Sequence, residues 1–195
     1  FEDPASLKGG LEMIQTWVAL PEKDEETTPT FENYKPAQLP VFSDKGIWFR
    51  LIAGNAYGQQ SNVKTHSPLF YIHMVLEQRA SINLPTGHSE RGIYITEGSL
   101  EIAGLAHPAG RMIVFKKEED PIIIAREKTT LMLLGGEALG PRHIWWNFVS
   151  SSKEQAKSDW KEGRIILPPN DNHEFVPLPE DRRKKDDNPS PGALS

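Results

Sequence analysis

Short segments rich in β-forming residues follow one another along most of this chain, and glycine, proline or charged residues separate them. The 195 residues include 16 prolines and 15 glycines, which suit tight turns better than long helices. Strands at this spacing are typical of an antiparallel sandwich or barrel and unlike βαβ units. The sequence therefore predicts an all-β fold. The predicted strands are Leu11–Leu20, Ile47–Ala53, Leu69–Leu76, Ala80–Leu84, Gly92–Thr96, Ser99–Ile102, Arg111–Phe115, Pro121–Ala125, Thr129–Leu134 and His143–Val149.

The two ends of the chain differ from this central region. The first predicted strand is apolar at neighbouring positions, so we expect it to be covered on both faces. Residues 21–45 are acidic and contain prolines, which indicates an irregular linker. Ser151, with Glu154 three residues later, forms a capping box and predicts one short helix over residues 151–164. The charged, proline-containing residues 165–195 predict an extended and largely disordered tail.

The composition excludes several classes of site. No cysteine is present, so thiol catalysis, disulfides and cysteine-ligated metals are excluded, and a reducing compartment is compatible with the chain. A net charge of −5 disfavours direct nucleic-acid binding because it repels phosphates. No apolar run approaches the roughly 18 residues that a membrane-spanning helix needs. We therefore expect a cytoplasmic protein that binds neither nucleic acid nor membrane.

One hairpin carries the most specific motif. A strand, a Glu-Gly turn and a second strand span residues 92–102, and Pro108-Ala109-Gly110-Arg111-Met112-Ile113 follows. This pattern resembles the metal-holding hairpin of the cupin fold, a jelly-roll-like antiparallel barrel. In a metal-bearing cupin, an H-x-H pair precedes the hairpin, a Glu opens its first strand and a His ends the later P-x-G-x-x-H turn. Three or four such side chains converge on a divalent metal.

The chain keeps this scaffold and lacks the ligands. Ile113 stands where the final His is expected, and the H-x-H positions fall near Leu84 to Thr86. A hydrocarbon side chain cannot bind a metal, so we expect Ile113 to fill the barrel interior. The resemblance therefore implies a degenerate site with no metal or other cofactor in this chain.

Few residues remain as candidates for chemistry. His88 and Glu90 alternate and would share one face of a strand, so they are weak candidates for metal ligands, although a solvated loop explains them better. The other histidines show no ligand spacing, the sequence has no nucleophile motif, and no catalytic residue is assigned. Trp17, Trp145 and Trp146 are expected to be structural or interface residues. The alternative is a stacking platform for a flat aromatic ligand.

Several segments, in order along the chain, resemble the pirin family. They are Leu11–Pro21 with the run QTWVALP, Ile52–Gly58, Ser67–Tyr71, Tyr94–Gly98, Leu133–Glu137 and Pro141–Val149. The resemblance covers about residues 9–180. The run PRHIWWNFVSSSKE is too long to be a chance match.

The resemblance implies a bicupin, in which two barrels lie face to face. It implies that iron, or another divalent metal, binds only in the N-terminal barrel, through an H-x-H pair and an H-x-E just before the QTWVALP segment. The chain begins after that point, so none of those ligands falls on one of its residues. Family members are described as quercetin 2,3-dioxygenase-like enzymes or as metal-dependent transcriptional co-regulators.

The expected organisation follows from the strands and the resemblance together. It comprises a remnant strand of an N-terminal barrel (1–20), a linker (21–45), a C-terminal cupin barrel without metal (46–150), the helix (151–164) and the tail (165–195). Three functions stay open: support of a dioxygenase-like N-terminal half, a protein-interaction or co-regulator module, and an apolar pocket for a small ligand. The corresponding partners are the N-terminal cupin half, another protein or a flavonol-like molecule. Whether the chain is part of an enzyme stays undecided.

Overall fold

The computed structural model describes residues 13–145, 148–152, 154 and 158. The chain divides into two compact units, Phe1–Gly140 and Pro141–Ser195. In the first unit, two short 3₁₀ turns, Glu22–Asp24 and Pro36–Gln38, precede the strands. The strands are β1 (Val41–Asp44), β2 (Ile47–Ala56), β3 (Gln59–Gln60), β4 (Leu69–Leu76), β5 (Ser81–Asn83), β6 (Glu90–Glu97), β7 (Ser99–Ile102), β8 (Leu105–Pro108), β9 (Met112–Phe115), β10 (Ile122–Ala125) and β11 (Thr129–Gly136).

These strands form two antiparallel sheets. The large sheet has the order β1-β2-β4-β11-β6-β9, and β3 pairs with the end of β2. The small sheet has the order β5-β10-β7-β8. Every strand pair is antiparallel, and the register shifts once in β2 against β4 and once in β11 against β6. The prediction of an all-β, antiparallel fold is confirmed.

One hydrophobic core draws on both sheets. Strand β4 shows why: Phe70, Ile72, Met74 and Leu76 are almost fully buried, and the residues between them are half-buried. Such alternation places one face of the strand inward and the other outward. The small sheet contributes inward side chains from β7 and β10. The core comprises Phe49, Leu51, Ala56, Phe70, Ile72, Met74, Leu76, Leu84, Ile93, Ile95, Leu100, Ile102, Phe115, Ile123, Ala125, Leu131 and Leu133.

The Glu-Gly turn predicted between two strands joins β6 of the large sheet to β7 of the small sheet. Gly98 has a φ of +78°, and a Cβ there would lie 2.5 Å from the carbonyl oxygen of Lys128. Only glycine tolerates both conditions. Thr129, fully buried beside the turn, accepts a hydrogen bond from the Ser99 N–H and donates one to the Ser99 carbonyl. The turn is thereby fixed against the start of β11.

The predicted strand Leu11–Leu20 is wrong over residues 13–20, the part that the structure describes. These residues form no strand, and Met13, Ile14, Trp17 and Val18 are about half exposed or more. Their backbone forms no ladder with a neighbouring strand, so β-forming composition alone does not make a strand here. The Thr16 hydroxyl does donate a hydrogen bond to the Tyr71 hydroxyl, at 2.8 Å.

The predicted linker 21–45 also needs a correction, because its last residues form β1. Strand β1 forms a hairpin with β2 through a tight turn in which Lys45 and Gly46 both have positive φ. The sheet therefore begins at Val41 and not at residue 46. Strands β3 and β8 were not predicted either.

The described part of the second unit contains a hairpin of β12 (His143–Trp145) and β13 (Phe148–Ser150). The single strand predicted over His143–Val149 is therefore two short strands. They form a two-stranded sheet of their own, and the barrel boundary predicted at residue 150 stays a prediction. Most of the predicted helix 151–164, and the whole predicted tail 165–195, lie outside the described residues. Within the described part of the chain, no helix has the length and apolarity needed to cross a membrane.

Candidate functional site

The side chains at the cupin ligand positions do not suit a metal. Ile113 in β9 is half-buried, packs against the core and pairs with Ile93 of β6. Leu84 is buried in the core, and Thr86 is exposed in the loop that follows β5. Hydrocarbon side chains from both sheets fill the interior. Across the residues that the structure describes, no three His, Cys, Asp or Glu side chains lie together as metal ligands would.

The two weak metal candidates diverge. His88 precedes β6, so it does not alternate with Glu90 on a strand, as the sequence predicted. The His88 ring lies 5.0 Å from the ring of Phe70, and its Nδ1 atom is buried without a hydrogen-bond partner. Glu90 opens β6 beside Gly136 of β11 and is exposed. These two residues therefore do not form a shared site.

Glu90 opens β6, as the cupin pattern expects of a Glu, but it is exposed, and its neighbour Arg91 points inward. Its side chain is only 4% exposed. The Nη2 group donates hydrogen bonds to the carbonyl oxygens of Lys116, Lys117 and Glu119 in the β9–β10 loop. The Nη1 atom lies 3.9 Å from a carboxylate oxygen of Asp120, whose side chain is half exposed. At the start of β6 the inward side chain is therefore a cation, and the carboxylate of Glu90 faces solvent.

A pocket of about 300 Å³ opens beside Arg91. Its lining consists of residues 86–89 before β6, Arg91 itself, Lys117 and Asp120 of the β9–β10 loop, and Glu137 after β11. This volume lies at the lower end of the range of small-molecule sites. The lining carries no large apolar side chain, so it differs from the apolar pocket that is one of the three functions left open by the sequence.

Ser89 fixes one wall of this pocket. Its hydroxyl donates a hydrogen bond to the carbonyl of Gly136 at 3.3 Å and accepts one from the N–H of Ala138 at 2.9 Å. The loop before β6 is therefore tied to the segment that follows β11. Because Ser89 holds these two segments together, this side of the pocket is preformed.

The outward side of the large sheet, which we call the outer face, carries a second group of notable residues. A row of directly paired residues crosses it from β2 to β9. The row consists of Arg50, His73, Met132, Tyr94 and Met112. Trp48 lies beside this row, with its ring edge-on to His73 and under the Arg50 guanidinium at 5.2 Å.

Trp48, which makes these contacts, is not one of the tryptophans that the sequence predicts to be structural. Trp17 is 49% exposed and lies outside the core. Trp145 contributes its backbone to β12, and Trp146 lies outside the described residues. Sequence reasoning missed Trp48 and Arg91, although the alternation Trp48, Arg50 in β2 marks an outward pair.

Two partly buried groups have a shifted pKa. Burial, and to a lesser degree the nearby Arg50 guanidinium, lowers the pKa of His73 below its usual value. The imidazole is therefore neutral on the outer face near pH 7. Burial, with a smaller contribution from Asp120, raises the pKa of the Tyr57 phenol, which donates a hydrogen bond to the Asn83 carbonyl at 2.6 Å. Neither group has the arrangement of a nucleophile or a general base with a partner.

Comparison with known proteins agrees with the fold. Residues 71–166 match the pirin C-terminal cupin domain. A pirin-like protein of Caulobacter vibrioides is 47% identical over 184 residues, covering 92% of this chain and 64% of the relative. A crystal structure of quercetin 2,3-dioxygenase from Acinetobacter baumannii superposes with a TM-score of 0.70 at 26% identity, covering 84% of this chain and 56% of that one. The chain spans between 49% and 64% of the length of three curated relatives that it matches.

Proposed function

Since the chain belongs to the pirin family, we propose that it forms the metal-free barrel of a pirin-like bicupin. In this role it supports a metal-dependent, quercetin 2,3-dioxygenase-like site in a second, N-terminal barrel of the same protein. The chain itself performs no chemistry. The proposal includes a cytoplasmic location.

The observation that carries this proposal is the hydrocarbon interior. Ile113 and Leu84 occupy positions where the cupin pattern has imidazoles, and at the start of β6 the inward side chain is the cation of Arg91, while Glu90 is exposed. A cation beside the site repels a divalent metal, and a hydrocarbon offers it no lone pair. The length of the relatives agrees with a second barrel, because this chain spans only about half to two-thirds of them.

The metal content of the isolated chain tests this first. After dialysis, plasma mass spectrometry should find no stoichiometric iron, and the chain alone should not consume quercetin. The codons upstream of Phe1 should encode an H-x-H pair and an H-x-E. One tightly held iron per chain, or flavonol cleavage by this chain alone, would overturn the proposal.

A second function, a protein-interaction module without catalysis, is favoured by the apolar outer face. Met112 is 50% exposed and Val114 is 72% exposed on edge strand β9. The partly exposed residues 13–18 reach the same face, through the bond between Thr16 and Tyr71. Exposed apolar patches of this kind often mark protein interfaces.

The two functions differ in what the outer face contacts. In the longer gene product, Val114→Asp should lower the unfolding temperature of the N-terminal barrel if that barrel packs there. Leu105→Asp is the matched control, because Leu105 is 66% exposed on β8 of the small sheet. If Val114→Asp and Leu105→Asp leave the N-terminal barrel equally stable, the supporting role fails and the interaction module becomes the better account.

A further inference from the structure

We infer that the pocket beside Arg91 binds a small hydroxycarboxylic acid, with the carboxylate at Arg91 and Lys117 and the hydroxyls toward the acidic rim. This is a binding function separate from the supporting role. It rests on the unfilled hydrogen-bonding capacity of Arg91 and on the charged and hydroxyl side chains that line the pocket.

Arg91 offers more donors than the protein uses. A guanidinium has five N–H groups. The Nη2 group serves three loop carbonyls, but Nε is buried without a partner and Nη1 lies 3.9 Å from Asp120, beyond hydrogen-bond distance. The hydrogen bonds that hold the β9–β10 loop use only Nη2, so they give no role to the other N–H groups of the guanidinium. Nε has almost no solvent access, so a ligand in the pocket meets Nη1 instead and can supply the hydrogen-bond acceptor that Nη1 lacks.

A carboxylate is the acceptor that suits this position best. Guanidinium and carboxylate form short, charge-assisted hydrogen bonds, and burial strengthens them. Lys117 adds a second positive charge on the wall of the same pocket. His88 also lines the pocket, and its ring lies 5.0 Å from the ring of Phe70.

The other pocket residues restrict the rest of the ligand. Asp120 and Glu137 line the pocket and are exposed at its rim, so they repel a second negative charge and accept hydrogen bonds from hydroxyls. Thr86 adds a hydroxyl, and no large apolar side chain is available for an aromatic ring. A molecule with one carboxylate and several hydroxyls can pair with the cationic residues of the pocket through its carboxylate and with the acidic residues through its hydroxyls.

Three probes separate the parts of this inference. Gluconate carries the carboxylate and the hydroxyls, sorbitol carries the hydroxyls alone, and acetate carries the carboxylate alone. Titration calorimetry on the full chain should show gluconate binding most tightly, acetate more weakly and sorbitol not at all. Amide chemical shifts in residues 86–91 should move on adding gluconate. If sorbitol binds as tightly as gluconate, or if the shifted amides lie elsewhere, the assignment is wrong.

Two substitutions test whether Lys117 and Arg91 are the cations that bind the carboxylate of the ligand. Lys117→Gln should weaken gluconate binding by about threefold to fivefold, the size expected for an exposed ion pair. Lys116→Gln is the matched control, because Lys116 has the same charge in the same loop and does not line the pocket. Arg91→Gln should weaken binding by more than about tenfold if the barrel still folds. Equal affinity of wild type and Lys117→Gln would overturn the inference even if Arg91→Gln cannot be produced.

Discussion

Restoring one cupin ligand should damage this barrel without creating a metal site. In Ile113→His, an imidazole replaces a half-buried hydrocarbon that packs against the core opposite Ile93. Losing part of the apolar burial costs about 1–2 kcal/mol, and placing a polar ring there costs about 1–3 kcal/mol more. Since the site is only half-buried, we expect a total loss of about 2–4 kcal/mol in the free energy of unfolding.

Urea denaturation followed by tryptophan fluorescence measures this loss. Ile113→Val is the control, since it keeps the site apolar and should cost only about 0.5–1.5 kcal/mol. Calorimetric titration of Ile113→His with Ni²⁺ should match that of the wild type, because a single imidazole does not make a site that needs three or four ligands. If the histidine costs no more than the valine, Ile113 does not pack as described. If one Ni²⁺ binds per chain, other ligands converge on this position and the degenerate-site argument is refuted.

Three further perturbations test the core, a turn and the outer face. Ile72→Ala, at the centre of β4, should cost about 2–5 kcal/mol in urea denaturation, clearly more than Val75→Ala on the outward side of the same strand; equal costs would contradict the inward assignment. Gly54→Ala should destabilise by about 2 kcal/mol or more, because Gly54 has a φ of +75° and a Cβ would overlap the carbonyl of Leu69; an unchanged urea midpoint would refute this. The lowered pKa of His73 means that the unfolded chain binds a proton more readily, so stability should fall as pH drops from about 6.5 through the folded pKa. His73→Gln should lose that part of the pH dependence, and an identical pH profile of stability for wild type and variant would show that His73 is not the group responsible.

The strands that the sequence predicts best are those with a buried face. Strands β4 and β7 match their predicted bounds, because alternating burial follows the alternation of the side chains. Strand β1 was missed because all four of its residues are exposed, so no core imposes a pattern on them. Strand β8 ends in Pro108 at the edge of the small sheet, a position where proline is tolerated but reads as a breaker in a sequence.

The site was harder to predict than the fold. That position 113 supplies no metal ligand follows from the sequence, since no packing can make a hydrocarbon bind a cation. Arg91 could not be identified from the sequence, because a charged residue next to Glu90 is typical of the solvent-exposed end of any strand. Only the three-dimensional arrangement shows that Arg91 is buried while Glu90 is exposed, and that the β9–β10 loop closes over it.

The position of β4 in the large sheet has a consequence for synthesis on the ribosome. One neighbour, β2, precedes it closely, but the other, β11, lies more than fifty residues further along the chain. At about 5–20 residues per second, the nascent chain waits roughly three to twelve seconds for that partner. During this interval the edge of β4 that will pair with β11 has unpaired backbone groups, and its apolar face lacks half of its cover. We therefore expect the half-made chain, released after β4 and before β11, to be the aggregation-prone and chaperone-binding species of this protein.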